Sequence, residues 1–200
     1  MNKPNSPGAF SVEIKDWREK ALQRAIMLKG VTRVGHTEIR WLDIELPVHC
    51  TGWARGASID LIGVDTDDNY VLCELKFGGK GADSVEFAER ELLGYVDSIA
   101  KNADLLARQS CHKNSRTDYA DRPVDLRKVL RSGRRLIVAA NKEYWEYWYP
   151  KRGEFSANEG IEWCSIDVDV QEFKRQRGAA DLFVPQLPET AVCWKLLNKD

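Results

Sequence analysis

The sequence has almost no net charge and no long hydrophobic run. Its 200 residues carry 30 Lys and Arg against 31 Asp and Glu, which gives a formal net charge of −1. This balance excludes a histone-like polycation and an acidic tail protein. The longest uncharged apolar runs, such as residues 136–140, are far shorter than the roughly 18 residues that a membrane-spanning helix needs, so we expect no membrane partner.

Signatures of several common protein classes are also missing. The 5 cysteines are widely spaced without a C-x-x-C pair, which argues against a disulfide framework and a zinc knuckle. The 3 histidines lie far apart, and no glycine-rich phosphate loop follows a strand, so neither a histidine-bound metal nor a nucleotide-binding kinase or dehydrogenase is expected. The first residues lack the apolar segment of a signal peptide. We therefore expect a cytoplasmic protein with a flexible leader over residues 1–10 and one domain over residues 11–200.

The charges that cancel overall are separated along the chain. Residues 1–35 have a net charge of +4, residues 36–76 of −5 and residues 108–135 of +6. An acidic middle is thus flanked by two basic stretches, and blocks of opposite sign call for an explanation.

Hydrophobic spacing and turn residues predict the order of the main elements. A first helix begins near Ser11 and ends at Gly30, and a second begins at Asp83 and runs for more than five turns. Predicted strands cover residues 37–48, 57–64, 70–77, 134–140 and 161–168. The order predicts an α/β fold with an αβββαβ core over about residues 11–140, in which helices flank a mixed sheet, followed by C-terminal additions over about residues 141–200.

The second and third strands form a predicted hairpin because a cluster of turn residues, 65–69, separates them. A turn centred on Asp67 places Asp60 directly opposite Glu74, with Lys76 on the same face as Glu74. The other face is then apolar and buried. The residues predicted on that apolar face are Ile59, Leu61, Val71, Cys73, Leu75 and Phe77.

An opposed Asp and Glu are unfavourable in a strand pair, because like charges there lie about 5 Å apart. A divalent cation would remove the conflict. The carboxylates of Asp60 and Glu74, together with the backbone carbonyl of Leu75, form an oxygen-only ligand set of the kind that suits Mg²⁺ or Mn²⁺. Lys76 would place its ammonium beside a water or phosphate at this site, which predicts metal-assisted hydrolysis of a phosphodiester.

These residues resemble the signature of the PD-(D/E)xK nuclease superfamily, whose members have a restriction-endonuclease-like fold. The matching residues are Ile59 and Asp60, then thirteen intervening residues, then Glu74, Leu75 and Lys76. The resemblance implies the same αβββαβ core and a DNA nuclease activity that uses Mg²⁺. Two other acid-x-Lys triplets, at residues 13–15 and 172–174, have no acidic residue on a preceding paired strand.

Three further positions are implied by the resemblance alone. Glu19 stands to Gly30 as a helical Glu does in Holliday-junction resolvases of this superfamily, although a solvated helix face accounts for Glu19 nearly as well. Tyr95 matches the Q-x-x-x-Y element of the RecB-like members, in which Glu91 replaces the Gln. The implied catalytic residues are therefore Asp60, Glu74, Lys76 and Glu19, while Tyr95 and Glu91 are predicted to contact nucleic acid.

Basic residues provide the remaining candidates for nucleic-acid binding. The stretch that ends at Arg134 and Arg135 could hold phosphates, and Arg55 could reach a scissile phosphate, although ordinary surface positions explain these arginines equally well. The aromatic run 144–149 is favoured as core or interface over a base-stacking surface. DNA is the expected partner, with RNA and a homodimer left open. The alternative function is a catalytically silent nucleic-acid-binding or assembly module that retains the fold.

Overall fold

A computed structural model describes residues 13–48, 58–112, 125–152 and 160–197. The predicted leader and Arg55 lie outside these residues. In the described residues, four consecutive strands follow the first helix, helices and strands then alternate, and two short 3₁₀ helices lie at Leu126–Leu130 and Glu189–Val192. In chain order they are α1 (Glu19–Lys29), β1 (Val31–Val34), β2 (Thr37–Pro47), β3 (Ser58–Asp65), β4 (Tyr70–Lys76), α2 (Val85–His112), β5 (Arg135–Asn141), α3 (Lys142–Arg152), β6 (Ile161–Ile166), α4 (Glu172–Arg177) and β7 (Cys193–Leu196).

The seven strands form a closed barrel in which they follow one another in sequence order. Strands β1 to β4 pair antiparallel, and β4, β5 and β6 pair parallel. Strand β7 closes the barrel, because it pairs antiparallel with β6 and parallel with β1. The predicted αβββαβ core, a mixed sheet flanked by helices, is therefore wrong, because the described strands close into a barrel.

The error comes from two short strands. Each of β1 and β7 has only four residues, too few for an alternating pattern to stand out, and their pairing joins positions about 160 residues apart. The predicted first helix is also too long at its start. Ile14 forms an isolated antiparallel bridge with Phe183, and α1 begins at Glu19. Gly30 ends α1 as predicted, with a φ of 79° that favours glycine.

The predicted hairpin and its register are confirmed. Leu61 pairs with Cys73 and Ile62 with Leu72, as a turn centred on Asp67 requires. The side chain of Asp65 stabilises this turn, because it accepts hydrogen bonds from the backbone N–H groups of Asp67 (3.0 Å) and Asn69 (2.9 Å). The predicted single apolar face is only partly correct, because both faces of β4 are buried.

Two separate apolar cores lie against the strands. The first contains α1, Phe173 of α4 and Trp194 of β7, together with Leu61 and Leu75. The second contains the apolar face of α2 and the aromatic start of α3. Ile59 belongs to this second core and not, as predicted, to the core that contains Leu61. Since helices cover both sides of β4, a polar side chain at its end is buried between them.

The parallel strands β4 and β5 end side by side, with Lys76 paired to Ala140. The next residue of β5, Asn141, is fully buried and accepts a hydrogen bond from the backbone N–H of Gly78 (2.8 Å). This bond fixes the chain that leaves β4 against the start of α3. The carboxyl ends of parallel strands are a common place for ligand sites. In the described residues, no helix is long and apolar enough to cross a membrane.

Barrel closure can be tested at Trp194. Its ring stacks on Trp41 of β2 with centroids 5.5 Å apart, and its indole N–H donates to the Ala191 carbonyl (3.1 Å). Trp194→Ala should lower the free energy of unfolding by about 3–5 kcal/mol, because it leaves a large cavity where the barrel closes. Urea unfolding measures this loss. The exposed neighbour Lys195 provides the control, Lys195→Ala, and equal losses in the two variants would contradict the closure.

Candidate active site

Lys76 lies at the end of β4 and is almost completely buried, with 5% of its surface exposed. Its Nζ lies 2.6 Å from Oε1 of Glu74 and 3.0 Å from Oε2 of Glu91. Glu74 and Lys76 are two residues apart in one strand, so they project from the same face, toward α2. The Phe87 ring lies over the ammonium with its centroid 5.8 Å away.

Helix α2 supplies two further hydrogen bonds to this ion pair. Tyr95 donates its hydroxyl hydrogen bond to Oε2 of Glu74 (2.9 Å), and Glu91 holds Lys76 from the same helix. Glu91 and Tyr95 are four positions apart in the sequence, so both lie on one face of the helix. Glu91 and Tyr95, predicted to contact nucleic acid, lie in the structure against the predicted catalytic residues.

Asp60 reaches the same place from β3. The ladder between β3 and β4 ends at Leu61 and Cys73, and beyond it Oδ2 of Asp60 accepts a hydrogen bond from the backbone N–H of Leu75 (2.9 Å). In a β-strand, the N–H and C=O of one residue point to the same side. The Leu75 carbonyl therefore faces the side on which the Asp60 carboxylate lies.

Helix α1 covers Asp60 with two residues one turn apart, Glu19 and Gln23. Gln23 is 3% exposed, and its Nε2 donates to the backbone carbonyl of Asp60 (2.9 Å) and to Oδ1 of Asp60 (3.3 Å). Glu19 is the first residue of α1, and the backbone N–H of Phe77 acts to lower the pKa of its carboxyl group. The predicted catalytic residues Asp60, Glu74, Lys76 and Glu19 therefore converge at the end of β4.

Burial makes ionisation unfavourable for the carboxyl groups of this cluster. Burial, together with the nearby charge of Asp60, raises the pKa of Glu19 to about 7. Burial also raises the pKa of Asp60 to about 6, against the hydrogen bond from Leu75 and the charge of Lys76, which lower it. The pKa of Glu74 is well above its usual range, because of burial and then of Asp60.

The phenol of Tyr95 is also held in its neutral form, whereas the ammonium of Lys76 is held in its charged form. Burial acts to lower the pKa of Lys76, but the charge and hydrogen bond of Glu74 outweigh it and raise that pKa. Burial and the charge of Glu74 raise the pKa of Tyr95. At neutral pH, Lys76 is therefore a cation and Tyr95 a neutral hydrogen-bond donor.

The cluster contains four carboxyl groups, from Glu19, Asp60, Glu74 and Glu91, and one ammonium group. Among the described residues, no group of three or more His, Cys, Asp and Glu side chains has the arrangement of a metal site. Mg²⁺, however, is usually bound by one or two protein carboxylates, and waters complete its shell. The Oε1 atom of Gln23 is buried beside Asp60 without a hydrogen-bond partner, as expected where a bound water or ion is missing. The residues present thus fit a Mg²⁺ ion at Asp60 and Glu74.

The predicted basic contacts lie elsewhere. Arg135 pairs with Val71 at the start of β5, whereas Lys76 lies five residues along β4, about 17 Å away at 3.3 Å per residue. The Arg135 guanidinium makes two hydrogen bonds to Glu162 (2.7 and 2.8 Å), while Arg134 is exposed. The structure does not bring these two arginines to the cluster.

Gln23 and Tyr144 belong to the site region but are not among the predicted site residues. Gln23 follows Glu19 by four residues and interrupts an apolar helix face, which is a usable sequence signal. Tyr144 is the third residue of α3, and the charges that act on its hydroxyl include Lys76 and Glu19. Its aromatic neighbours gave no such signal, since they predict a core.

Comparison of the chain with family models, with curated proteins and with solved structures found no match in any of the three. The functional assignment therefore depends on the residues of this cluster and on their chemistry.

The raised carboxyl pKa values predict how stability depends on pH. A carboxyl whose pKa rises on folding binds its proton more tightly in the folded chain, so stability falls as pH rises from its ordinary pKa to the raised one. For Glu19 this interval extends from 4.5 to about 7. Without divalent cations, Glu19→Gln should reduce the loss of unfolding free energy between pH 5 and pH 8 by on the order of 2 kcal/mol.

Urea unfolding at the two pH values, with a chelator present, measures this difference. Glu38→Gln removes an exposed carboxylate from β2 and serves as the matched control. A pH dependence that is the same in wild type and Glu19→Gln would show that Glu19 does not share the buried charge of the cluster.

Proposed function

We propose that this protein is a Mg²⁺-dependent nuclease that hydrolyses phosphodiester bonds of DNA. The observation that carries the proposal is the convergence of Asp60, Glu74 and Lys76, from two adjacent strands, at one buried strand end. The excess of carboxyl groups over cations there supports a divalent cation as the missing charge. The motif resemblance points to the same chemistry.

The carboxylates of Asp60 and Glu74 would hold Mg²⁺ or Mn²⁺, with the Leu75 carbonyl as the third protein ligand. When bound, the ion supplies a Lewis acid and lowers the pKa of a water molecule that it binds. Gln23 and the Leu75 N–H fix the Asp60 carboxylate through their hydrogen bonds. Tyr95 fixes Glu74 in the same way.

Lys76 provides the positive charge that the protein itself brings to the reaction. Its ammonium donates hydrogen bonds, so it can orient a water for attack and stabilise the charge that develops on the phosphate oxygens. Glu91 keeps this ammonium at the end of β4 from the side of α2. Glu91 and Tyr95 are therefore positioning residues: Glu91 acts through Lys76, and Tyr95 acts through Glu74.

The proposal predicts a specific loss of DNA cleavage. Wild-type protein should degrade plasmid or single-stranded DNA with Mg²⁺ and stop when a chelator is added. Asp60→Asn and Lys76→Ala should each lower the rate by at least about 100-fold, because each removes a group that binds the ion or the developing charge. The rate of loss of intact DNA on gels measures this, and circular dichroism verifies that each variant is folded.

Matched controls come from the exposed face of α2. Asp97→Asn and Lys101→Ala make the same chemical changes at exposed positions and should cleave at the wild-type rate. If the wild type binds DNA without cleaving it, the protein is a nucleic-acid-binding module instead. Cleavage that survives both Asp60→Asn and Lys76→Ala would place the activity elsewhere.

A further inference from the structure

Tyr144 is fully buried at the start of α3, and its hydroxyl has no hydrogen-bond partner in the described residues. Buried polar atoms in folded proteins are nearly always paired, so an unpaired one calls for a reason. The ring alone is well accommodated, because it packs edge-on against Trp145 with centroids 5.2 Å apart. A phenylalanine would make the same packing contacts. The hydroxyl is therefore the unexplained part of this side chain.

Tyr144 packs in the same buried core as Tyr95 of α2 and Ala140, the β5 partner of Lys76. This core lies on the side of β4 that faces α2, which is the side from which Lys76 projects. Burial raises the pKa of the Tyr144 hydroxyl, and the charges of Lys76 and Glu19, both in the carboxylate cluster, also act on it. The Asn141 contact to Gly78 holds the chain after β4 against the start of α3, which brings Tyr144 to this strand end.

Lys76 has one N–H donor that its described contacts to oxygen do not use. An ammonium group carries three N–H donors, and the described contacts of Lys76 to oxygen use two of them, to Glu74 and Glu91. A phenol oxygen is an acceptor as well as a donor. One unused donor and one unused acceptor thus lie in the same buried region.

A cation bound at Glu74 would compete with Lys76 for the Glu74 carboxylate. Oε1 of Glu74 now lies 2.6 Å from the Lys76 ammonium, and Oε2 accepts from Tyr95. If Oε1 of Glu74 binds a cation instead, Lys76 loses its shortest hydrogen bond. Its buried ammonium then needs another acceptor.

We propose that Tyr144 is a positioning residue. When Glu74 no longer pairs with the Lys76 ammonium, the Tyr144 hydroxyl oxygen accepts a hydrogen bond from that ammonium, directly or through one water. This inference deepens the proposed function, on which it rests for the cation that displaces Lys76. Tyr144 keeps the ammonium at the strand end, so Lys76 remains in place for the phosphate while Glu74 binds the ion. While Lys76 is paired with Glu74, the Tyr144 hydroxyl therefore remains without a hydrogen-bond partner among the described residues.

A double-mutant cycle tests the proposal without metal, because Glu74→Gln weakens the hold on Lys76 as a cation would. Tyr144→Phe in the wild type should leave the unfolding equilibrium constant in urea unchanged or lower it, since it removes an unpaired hydroxyl. In the Glu74→Gln background, Tyr144→Phe should raise that constant about fivefold. If Glu74→Gln does not fold, Glu91→Gln, which removes the other carboxylate partner of Lys76, gives the same cycle.

Tyr149→Phe is the control, because Tyr149 is exposed on the same helix and should have equal effects in both backgrounds. Equal effects of Tyr144→Phe in the two backgrounds would overturn the proposal. A Mg²⁺ titration by calorimetry separates it from the proposed function, since Tyr144→Phe should weaken Mg²⁺ binding about tenfold. Coupling in the cycle together with no Mg²⁺ binding by the wild type would retain the role of Tyr144 and reject the metal-dependent nuclease.

Discussion

Lys76 is buried at the end of β4, where a charge is stable only if opposite charges and hydrogen bonds surround it. Glu74 supplies the nearest charge from the same strand, and Glu91 supplies another from α2. Tyr95 completes the hydrogen bonds of Glu74. Glu91 and Tyr95 thus link the ion pair of Glu74 with Lys76 in β4 to helix α2, and the packing of α2 on the strands buries the pair.

The same burial makes the surplus of carboxyl groups costly. Asp60 and Glu19 approach the pair from β3 and α1, and the pKa values of both are raised, to about 6 and about 7. A protein selected for stability alone would replace such groups with apolar ones. Residues that reduce stability in this way are typical of functional sites, because a ligand can balance the charge that the protein leaves uncompensated.

The sequence was sufficient where the structure is local. The turn at residues 65–69 sets the hairpin register, so the sequence predicts that Asp60, Glu74 and Lys76 approach one another. It was insufficient for the closed barrel, which depends on pairing between β1 and β7, two four-residue strands far apart in the chain. Gln23 and Tyr144 could not be assigned either, because their place at the site depends on how α1 and α3 pack. The motif likewise placed Glu91 and Tyr95 near the site, but it did not predict their contacts with Lys76 and Glu74.

The central claim is that a divalent cation balances the charge of Asp60 and Glu74. Because the pKa of Asp60 is raised to about 6 in the metal-free protein, binding of the cation should displace protons from the cluster near that pH. Calorimetric titration of Mg²⁺ into the wild type near pH 6, in two buffers of different ionisation enthalpy, measures this directly. The account predicts one site, proton release to the buffer, and loss of both in Asp60→Asn. Heats of binding that are absent in the wild type, or unchanged in Asp60→Asn, would contradict it.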